Sequence, residues 1–455
     1  MLRLASSVST VALVAVAVAT NVAAPAAAQA PCALYAAPTG SDSADGSLAS
    51  PFRSVQRLAD ELAPSQAGCL RAGAYHGNVK VEQRGIALQG MPGERAAVIG
   101  RLWVAEGADG VVVEGLYLNG RNAGNMPSPT VNADNVVFRR NDVTNDHTAI
   151  CFNLGHSDYG EANGTVIERN RIHHCGVLPA ANHDHGIYIS RASNTRIAGN
   201  WIYENADRGI QLYPNAQDTT ITGNVIDGNG QGVIFGGLDE DSSDDTRVEG
   251  NVISNSKLRY NVESYYDDGT PPGQNNLVTR NCVNGGTRDE GNGGIDAPAT
   301  GFTATGNITK AAPVFNDRTA GDYRLAAGNP CRSVLAEADS VPGPDGIVVP
   351  AAQVSRAKPV GPALVLKVPA RKVGRRARVF MHGHMRRGIR PGLRVKVLAR
   401  TRHGHWRKLG ATRVRADGHF KLRPRLHVKR GRHALRVLAR VEGVGRSHSA
   451  RLRLR

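Results

Sequence analysis

The densest collection of proton-handling groups in this 455-residue chain lies between positions 173 and 213. His173-His174 come first, then Asn182-His183-Asp184-His185, Tyr188 and Arg191, followed by Asp207-Arg208, Gln211 and Tyr213. Imidazole, phenol, guanidinium and carboxylate together suit removal of an acidic proton next to a substrate carboxylate. Such a reaction needs a base for the proton, a cation for the developing enediolate and an acid for the departing oxygen. His183 or His185 fits the base, Arg191 or Arg208 the cation and Tyr188 or Tyr159 the acid, with Asp184 beside them. A uronate within an acidic polysaccharide carries a proton of this kind. His156, Asp158 and Tyr159 of the loop 155–160, with Asp207, Gln211 and Tyr213, are the candidate substrate contacts, and Glu263, Tyr265, Tyr266, Asp267 and Asp268 extend the same groove. A plainer reading stands beside this one: His-Asp-His makes a hydrogen-bonded turn, and Asp207-Arg208 a lateral ion pair.

These residues become neighbours only if the chain coils. A motif of a small or charged residue, Asn and an apolar pattern returns seven times, with its asparagine at 141, 170, 200, 224, 251, 281 and 307. Steps of 24 to 30 residues, built from short alternating apolar pairs, indicate a solenoid of strands. The expected fold is all-β: a right-handed parallel β-helix of eight or nine coils. The repeated asparagine is read as structural, stacking amide on amide at a turn. Strand alternation sends Ile187/Ile189, Ile210/Leu212 and Val233/Phe235 inward, and Tyr188, Gln211 and Ile234 outward. Aligning the Gly-Ile strands sets His185 beside Arg208, Asp184 beside Asp207 and Tyr188 beside Gln211.

The remaining segments frame this solenoid. Residues 1–28 read as a signal peptide, with Arg3, the apolar run Val11 to Val18 and Ala26-Ala27-Ala28, so a secreted or cell-surface protein is expected. No later run is long enough to span a membrane. Six cysteines fit disulfides; neighbouring coils favour Cys151–Cys175, with Cys32–Cys69 at the N-terminal end and Cys282–Cys331 at the C-terminal end. Ser50-Pro51 signals the start of an amphipathic capping helix over Phe52, Val55, Leu58, Ala59 and Leu62. The β-helix is expected over 29–337, with 312–325 as a last irregular coil, and 338–362 is a Pro/Ala-rich linker. Alternating strands over 363–455, the second beginning at Arg378, suggest an immunoglobulin-like β-sandwich.

The net charge of +17 conceals an asymmetry, because residues 351–455 hold 31 Lys and Arg against two acids. Attraction to a polyanion through summed charge follows. An acidic polysaccharide or anionic cell-wall polymer is the expected partner of an exported chain, nucleic acid is not, and the protein is expected to be a monomer. The acidic loop Asp239-Glu240-Asp241-Ser242-Ser243-Asp244-Asp245 is a possible Ca²⁺ site; no cofactor is otherwise implied.

The opening Tyr35 to Asp42, Ser50-Pro51-Phe52 and Leu70 to Tyr75 resemble the N-terminus of secreted bacterial right-handed parallel β-helix proteins. That superfamily includes pectate and alginate lyases, mannuronan C5-epimerases and polygalacturonases, and the resemblance spans about residues 33–335. His185-Gly186-Ile187-Tyr188-Ile189-Ser190-Arg191 is similar to an epimerase segment, which implies for Arg191 the neutralisation of a substrate carboxylate. Where those epimerases carry Asp-Pro-His one coil earlier, this chain has Ser157-Asp158-Tyr159. No paired-Asp motif of a two-carboxylate hydrolase precedes it. The leading expectation is a polysaccharide lyase acting by β-elimination; the alternatives are a hydrolase, an epimerase and a non-catalytic matrix-binding rod.

Overall fold

A computed structural model of the protein describes residues 31–296, 300–344 and, further on, eight stretches between 364 and 453. The expected signal peptide and residues 345–362 of the expected linker lie outside the described residues. Three sheets stack along the solenoid. Sheet A has eleven strands, from Cys32–Ala36 to Thr303–Thr305, and sheet B nine, from Gly73–His76 to Cys282–Gly286. Sheet C runs from Val79–Val81 through Ile187–Ser193, Arg208–Gln217 and Gln231–Leu238 to Val262–Tyr266, all pairing in parallel. The fold is a parallel β-helix. Its core is columns of inward side chains in register, such as Phe152, Ile187, Ile210, Val233 and Val262, each fully buried.

The asparagine motif makes the corner between sheets A and B. Asn200 Oδ1 accepts from both the backbone N–H and the side-chain amide of Asn170, at 2.8 and 3.0 Å. The Asn200 amide in turn donates to Asn224 Oδ1 and to the Ile167 carbonyl. The same links join Asn141 to Asn170 and continue through Asn251 and Asn281 to Asn307. Each amide thereby satisfies backbone groups that the corner would otherwise bury unpaired. The residue before each asparagine is left-handed, with φ near 53° at Arg140, Arg169 and Arg280 and 63° to 67° at Gly199, Gly223, Gly250 and Gly306. Glycine suits that conformation, and the arginines tolerate it because their side chains reach carboxylates: Arg140 to Glu114, Arg169 to Glu337, Arg280 to Glu249.

The helix Val55–Glu61 starts later than Ser50-Pro51 suggested. Phe52 is taken by backbone pairing with Tyr35 and Ala37, so Ser54 becomes the N-cap and accepts from the Arg57 N–H. Val55, Leu58 and Ala59 face the core. All three expected disulfides form: Cys32–Cys69, Cys151–Cys175 and Cys282–Cys331. Among the described residues no helix is long and apolar enough to cross a membrane.

The segment expected as a last coil does something else. Phe315–Asp317 and Asp322–Leu325 pair with each other antiparallel, and the hairpin lies across the outside of sheet B. Tyr323 packs on Trp201 and Tyr203, with ring centroids 5.7 and 4.5 Å away, and Arg318 Nε reaches the buried Asp227 at 2.5 Å. A large aromatic and a cation complementary to Asp227 hold this segment to the wall rather than letting it wind. Residues 338–344, assigned by composition to the linker, lie against the same wall: Val341 joins the apolar cluster and Gly343 N–H donates to the Arg169 carbonyl.

Beyond 363 the described strands form a three-stranded and a five-stranded antiparallel sheet around one core that includes Met381, Val395, Val397, Phe420, Val437 and Leu452. The second strand is Met381–Met385, where the sequence suggested 378–380; Val379 pairs its backbone with Pro424 and anchors the approach.

Candidate functional site

The outward positions of sheet C align rung by rung. Lys80, Trp103, Thr130, Asn153, Tyr188, Gln211, Ile234 and Glu263 occupy one row in direct register. At about 4.8 Å per rung, Trp103 to Glu263 spans roughly 29 Å, the format of a groove for a linear polymer. Ile234 points outward as expected yet is only 2 % exposed.

Arg208 stands three residues before Gln211 on the same strand, in register with Gln231, and is 5 % exposed. Its four hydrogen bonds all go to neutral acceptors. Nε donates to Gln231 Oε1 at 3.0 Å and one terminal nitrogen to Gln211 Oε1 at 3.1 Å. Asn182 supplies the other two, through its carbonyl at 3.3 Å and its side-chain oxygen at 2.7 Å. Burial lowers the guanidinium below its ordinary value, and the charges of Asp207 and Glu263 act against that shift. A cation taken out of water without a bonded carboxylate is costly.

His185 adjoins Arg208, as the expected register requires, because the Gly186 N–H donates to the Arg208 carbonyl. It is 3 % exposed, and among the described residues its Nδ1 meets no hydrogen-bond partner. Burial pushes the imidazole well below the usual histidine range, and Arg208 adds to the effect, so it is neutral. Gln211 hydrogen-bonds it, and the half-buried Tyr188 ring stands edge-on 5.5 Å away. Burial raises the Tyr188 phenol, which keeps its proton. Glu263, fully buried, pairs with Arg259 at 2.8 Å; burial lifts its carboxyl above the usual range against the pull of Arg259.

Other expected members have structural duties. Asp207 Oδ2 accepts from the backbone N–H groups of His183 and Asp184, at 2.8 and 3.0 Å, and so shapes the loop that carries Asn182. Asp184 accepts from the Val177 N–H, and His183 is exposed. Arg191 follows a register break after Ile189, and its guanidinium pairs with Asp241 at 2.9 Å, beyond the rung of Arg208. Tyr213, half-exposed, stands at the Gly236 backbone. His156 and Tyr159 form a second patch of the same face: their rings lie 4.9 Å apart, and Tyr159 meets Trp103 edge-on at 6.4 Å. Arg101 and Lys80 sit over the Trp103 ring at 4.8 and 5.1 Å. Asp158 is exposed and its N–H donates to His156.

His173, adjacent in sequence to the site, ends the sheet B strand Arg171–His173, and His174 follows it in a left-handed turn. His173 bonds Asp142 at 2.7 Å and His174 at 2.7 Å, and stacks on Tyr203. The acidic loop shows no cage for Ca²⁺: Asp241 bonds Arg191 and Asn215, Asp244 accepts from the Gln274 N–H and Asp245 from Asn275. Among the described residues no three His, Cys, Asp or Glu side chains converge as a metal site. Sequence reasoning passed over Gln231, Trp103 and Arg259. The row of outward positions, extended three rungs back from Tyr188 through Asn153 and Thr130, reaches Trp103 and was the available signal.

Residues 130–308 match the family described as the right-handed β-helix region, which agrees with the observed coil. No curated protein matches the chain significantly. Solved structures similar to it include a complex of XylC with xylose (12 % identity, 55 % of this chain and 69 % of that one, TM-score 0.44). Pectate lyase Pel9A is also similar (14 %, 65 % and 90 %, 0.43), as is a rhamnogalacturonan lyase (12 %, 60 % and 87 %, 0.42).

Proposed function

We propose that the protein is an exported, carbohydrate-active enzyme that binds an acidic polysaccharide along sheet C and cleaves it by β-elimination, with the C-terminal sheets forming an immunoglobulin-like module. One observation carries this reading: Arg208 is a buried cation bonded only to neutral groups. A uronate carboxylate supplies the directly bonded counter-charge that Asp207 and Glu263 do not. One of the four bonds comes from the side chain of Asn182, an exposed loop residue, so a substrate carboxylate that displaces that side chain meets the guanidinium. Arg208 then stabilises the enediolate that forms when the α-proton leaves. The neutral His185 imidazole, beside Arg208, takes that proton, and the protonated Tyr188 delivers one to the departing glycosidic oxygen. The bond to the leaving oxygen breaks as the carbon–carbon double bond forms, so the product absorbs in the ultraviolet. Trp103, Tyr159 and His156 supply ring surface further down the groove.

The test is absorbance on polygalacturonate, alginate, glucuronan and heparin-like polymers. Appearance of an unsaturated product on one of them supports the reading. Reducing ends without absorbance would indicate hydrolysis, and binding with neither would indicate a non-catalytic rod.

A further inference from the structure

A second cation stands on the outer face of sheet C without a bonded carboxylate. Arg101 precedes the strand Leu102–Val104 and is half-buried. Its guanidinium lies over the Trp103 ring, 4.8 Å from the centroid, and two of its nitrogens donate to Thr130 Oγ1 at 3.2 and 3.4 Å. Burial lowers it below its ordinary value, and no carboxylate among the described residues opposes that shift; the Tyr159 phenol does, which makes phenol and guanidinium neighbours. Lys80 shares the Trp103 ring but is paired with Glu82.

The surroundings of Arg101 are held in place. Trp103 Nε1 donates to Asn132 Oδ1 at 2.9 Å, and the Asn132 amide donates to the Gly160 carbonyl at 2.9 Å. The loop 155–160 is thereby tied to the rung of Trp103, and the His156 N–H closes it by donating to the same Gly160 carbonyl. Tyr159 rides on this loop and is 56 % exposed, edge-on to Trp103 and tilted on His156. An exposed ring fixed beside a half-buried guanidinium suits an acidic sugar. The ring covers an apolar face of the pyranose, and the guanidinium receives the carboxylate.

We propose that Arg101 and Tyr159 form a distal subsite for a uronate residue of the same polymer chain that Arg208 engages. Four rungs separate the strand of Trp103 from that of Arg208, roughly 19 Å at about 4.8 Å each. The floor between them is low: its outward positions are the short, buried Thr130 and Asn153, and the next large side chain is Tyr188. A linear uronate advances by about one rung per sugar, so a chain spanning both cations presents them with carboxylates about four sugars apart. Two sites joined through one ligand bind it more tightly than either alone, so the subsite selects longer chains. The choice of a sugar acid rests on the reading of Arg208; the guanidinium beside an exposed ring does not.

The experiment is calorimetric titration of galacturonate, mannuronate and glucuronate hexamers into the full chain, with the matching trimers and a neutral xylose hexamer for comparison. A uronate hexamer is expected to bind wild type about ten-fold or more tightly than its trimer. Arg101→Gln is expected to weaken hexamer binding about ten-fold and to abolish the preference for the longer chain. Arg101→Lys recovers part of the loss, since an ammonium keeps the charge without the planar fork. Tyr159→Ala, a change at an exposed side chain, is expected to weaken the hexamer about two- to ten-fold. Arg208→Gln separates this proposal from the catalytic reading. Loss of affinity there with none in Arg101→Gln overturns the distal subsite alone, whereas loss in Arg101→Gln with none in Arg208→Gln supports the subsite and refutes the role of Arg208. Hexamers that bind no more tightly than trimers, a neutral hexamer that binds as tightly as the uronates, or no binding of any uronate hexamer to wild type also overturns the proposal.

Discussion

The outer faces of sheets B and C are built on the same rungs yet treat a buried arginine in opposite ways. On sheet B, Asp142 has Arg171 at 3.1 Å and His173 at 2.7 Å, and Asp227 has Arg318 at 2.5 Å. Burial acts to raise Asp142, but His173 and Arg171 together hold it below the usual carboxylate range. The C-terminal hairpin then covers this wall through Tyr323, Leu325 and the Cys282–Cys331 bridge. On sheet C, Arg208 has only amide partners, and His185 has a ring nitrogen without one among the described residues. A fold that pairs its charges on one wall and leaves a cation without a bonded carboxylate on another marks the second wall for a ligand.

The sharpest way to break this contrast is to remove one arginine from each wall. Arg171→Met leaves the buried Asp142 to His173 and is expected to cost about 3 kcal/mol in denaturant unfolding, with turnover per folded molecule unchanged. Arg208→Met is expected to leave stability within about 1 kcal/mol of wild type, yet to lower kcat on a uronate polymer by about 10²–10³-fold. Equal destabilisation by both would erase the distinction between the walls. The shared scaffold comes next: Asn200→Ala removes the acceptor for two donors of Asn170 and is expected to cost about 3 kcal/mol, read by the same unfolding curves.

His185→Gln should reduce kcat about 10²-fold without a matching loss of stability. Because the folded imidazole lies below 6.5, it stays neutral into mild acid, so the acid limb of kcat/KM falls below that pH; a limb centred at or above 6.5 contradicts the assignment. On sheet B the sign of the stability effect follows from His174, lowered to about 3 mainly by burial. Its unfolded form binds protons first on acidification, so its contribution is complete above 6.5 and is lost as pH falls toward 3. His174→Asn should flatten that slope. The smallest effect is expected from Asp241→Asn, which releases the partly exposed Arg191 and should cost under about 1 kcal/mol.

Much of the solenoid was legible because its period is carried by residues with one physical job. The asparagines announce the corner, and counting from them sets His185 beside Arg208. The same counting paired Cys151 with Cys175. Alternation alone misled at 312–325, since a hairpin lying on the wall and a coil within it show the same apolar spacing; only Tyr323 and Arg318, complementary to Trp201, Tyr203 and Asp227, distinguish them. Sequence proximity misled at His173-His174, because the turn after them carries the chain to another wall. Gln231 and Asn182 were not legible as Arg208 partners: an amide is chosen there for its geometry, and nothing in its type sets it apart from any other surface amide.

The most direct measurement is calorimetric titration of a short uronate oligomer, taken from whichever polymer binds, into wild type and Arg208→Gln at equal ionic strength. A loss of affinity of ten-fold or more in the variant, with unchanged unfolding, is the expected result. Identical affinities would show that the buried guanidinium on sheet C does not receive the carboxylate.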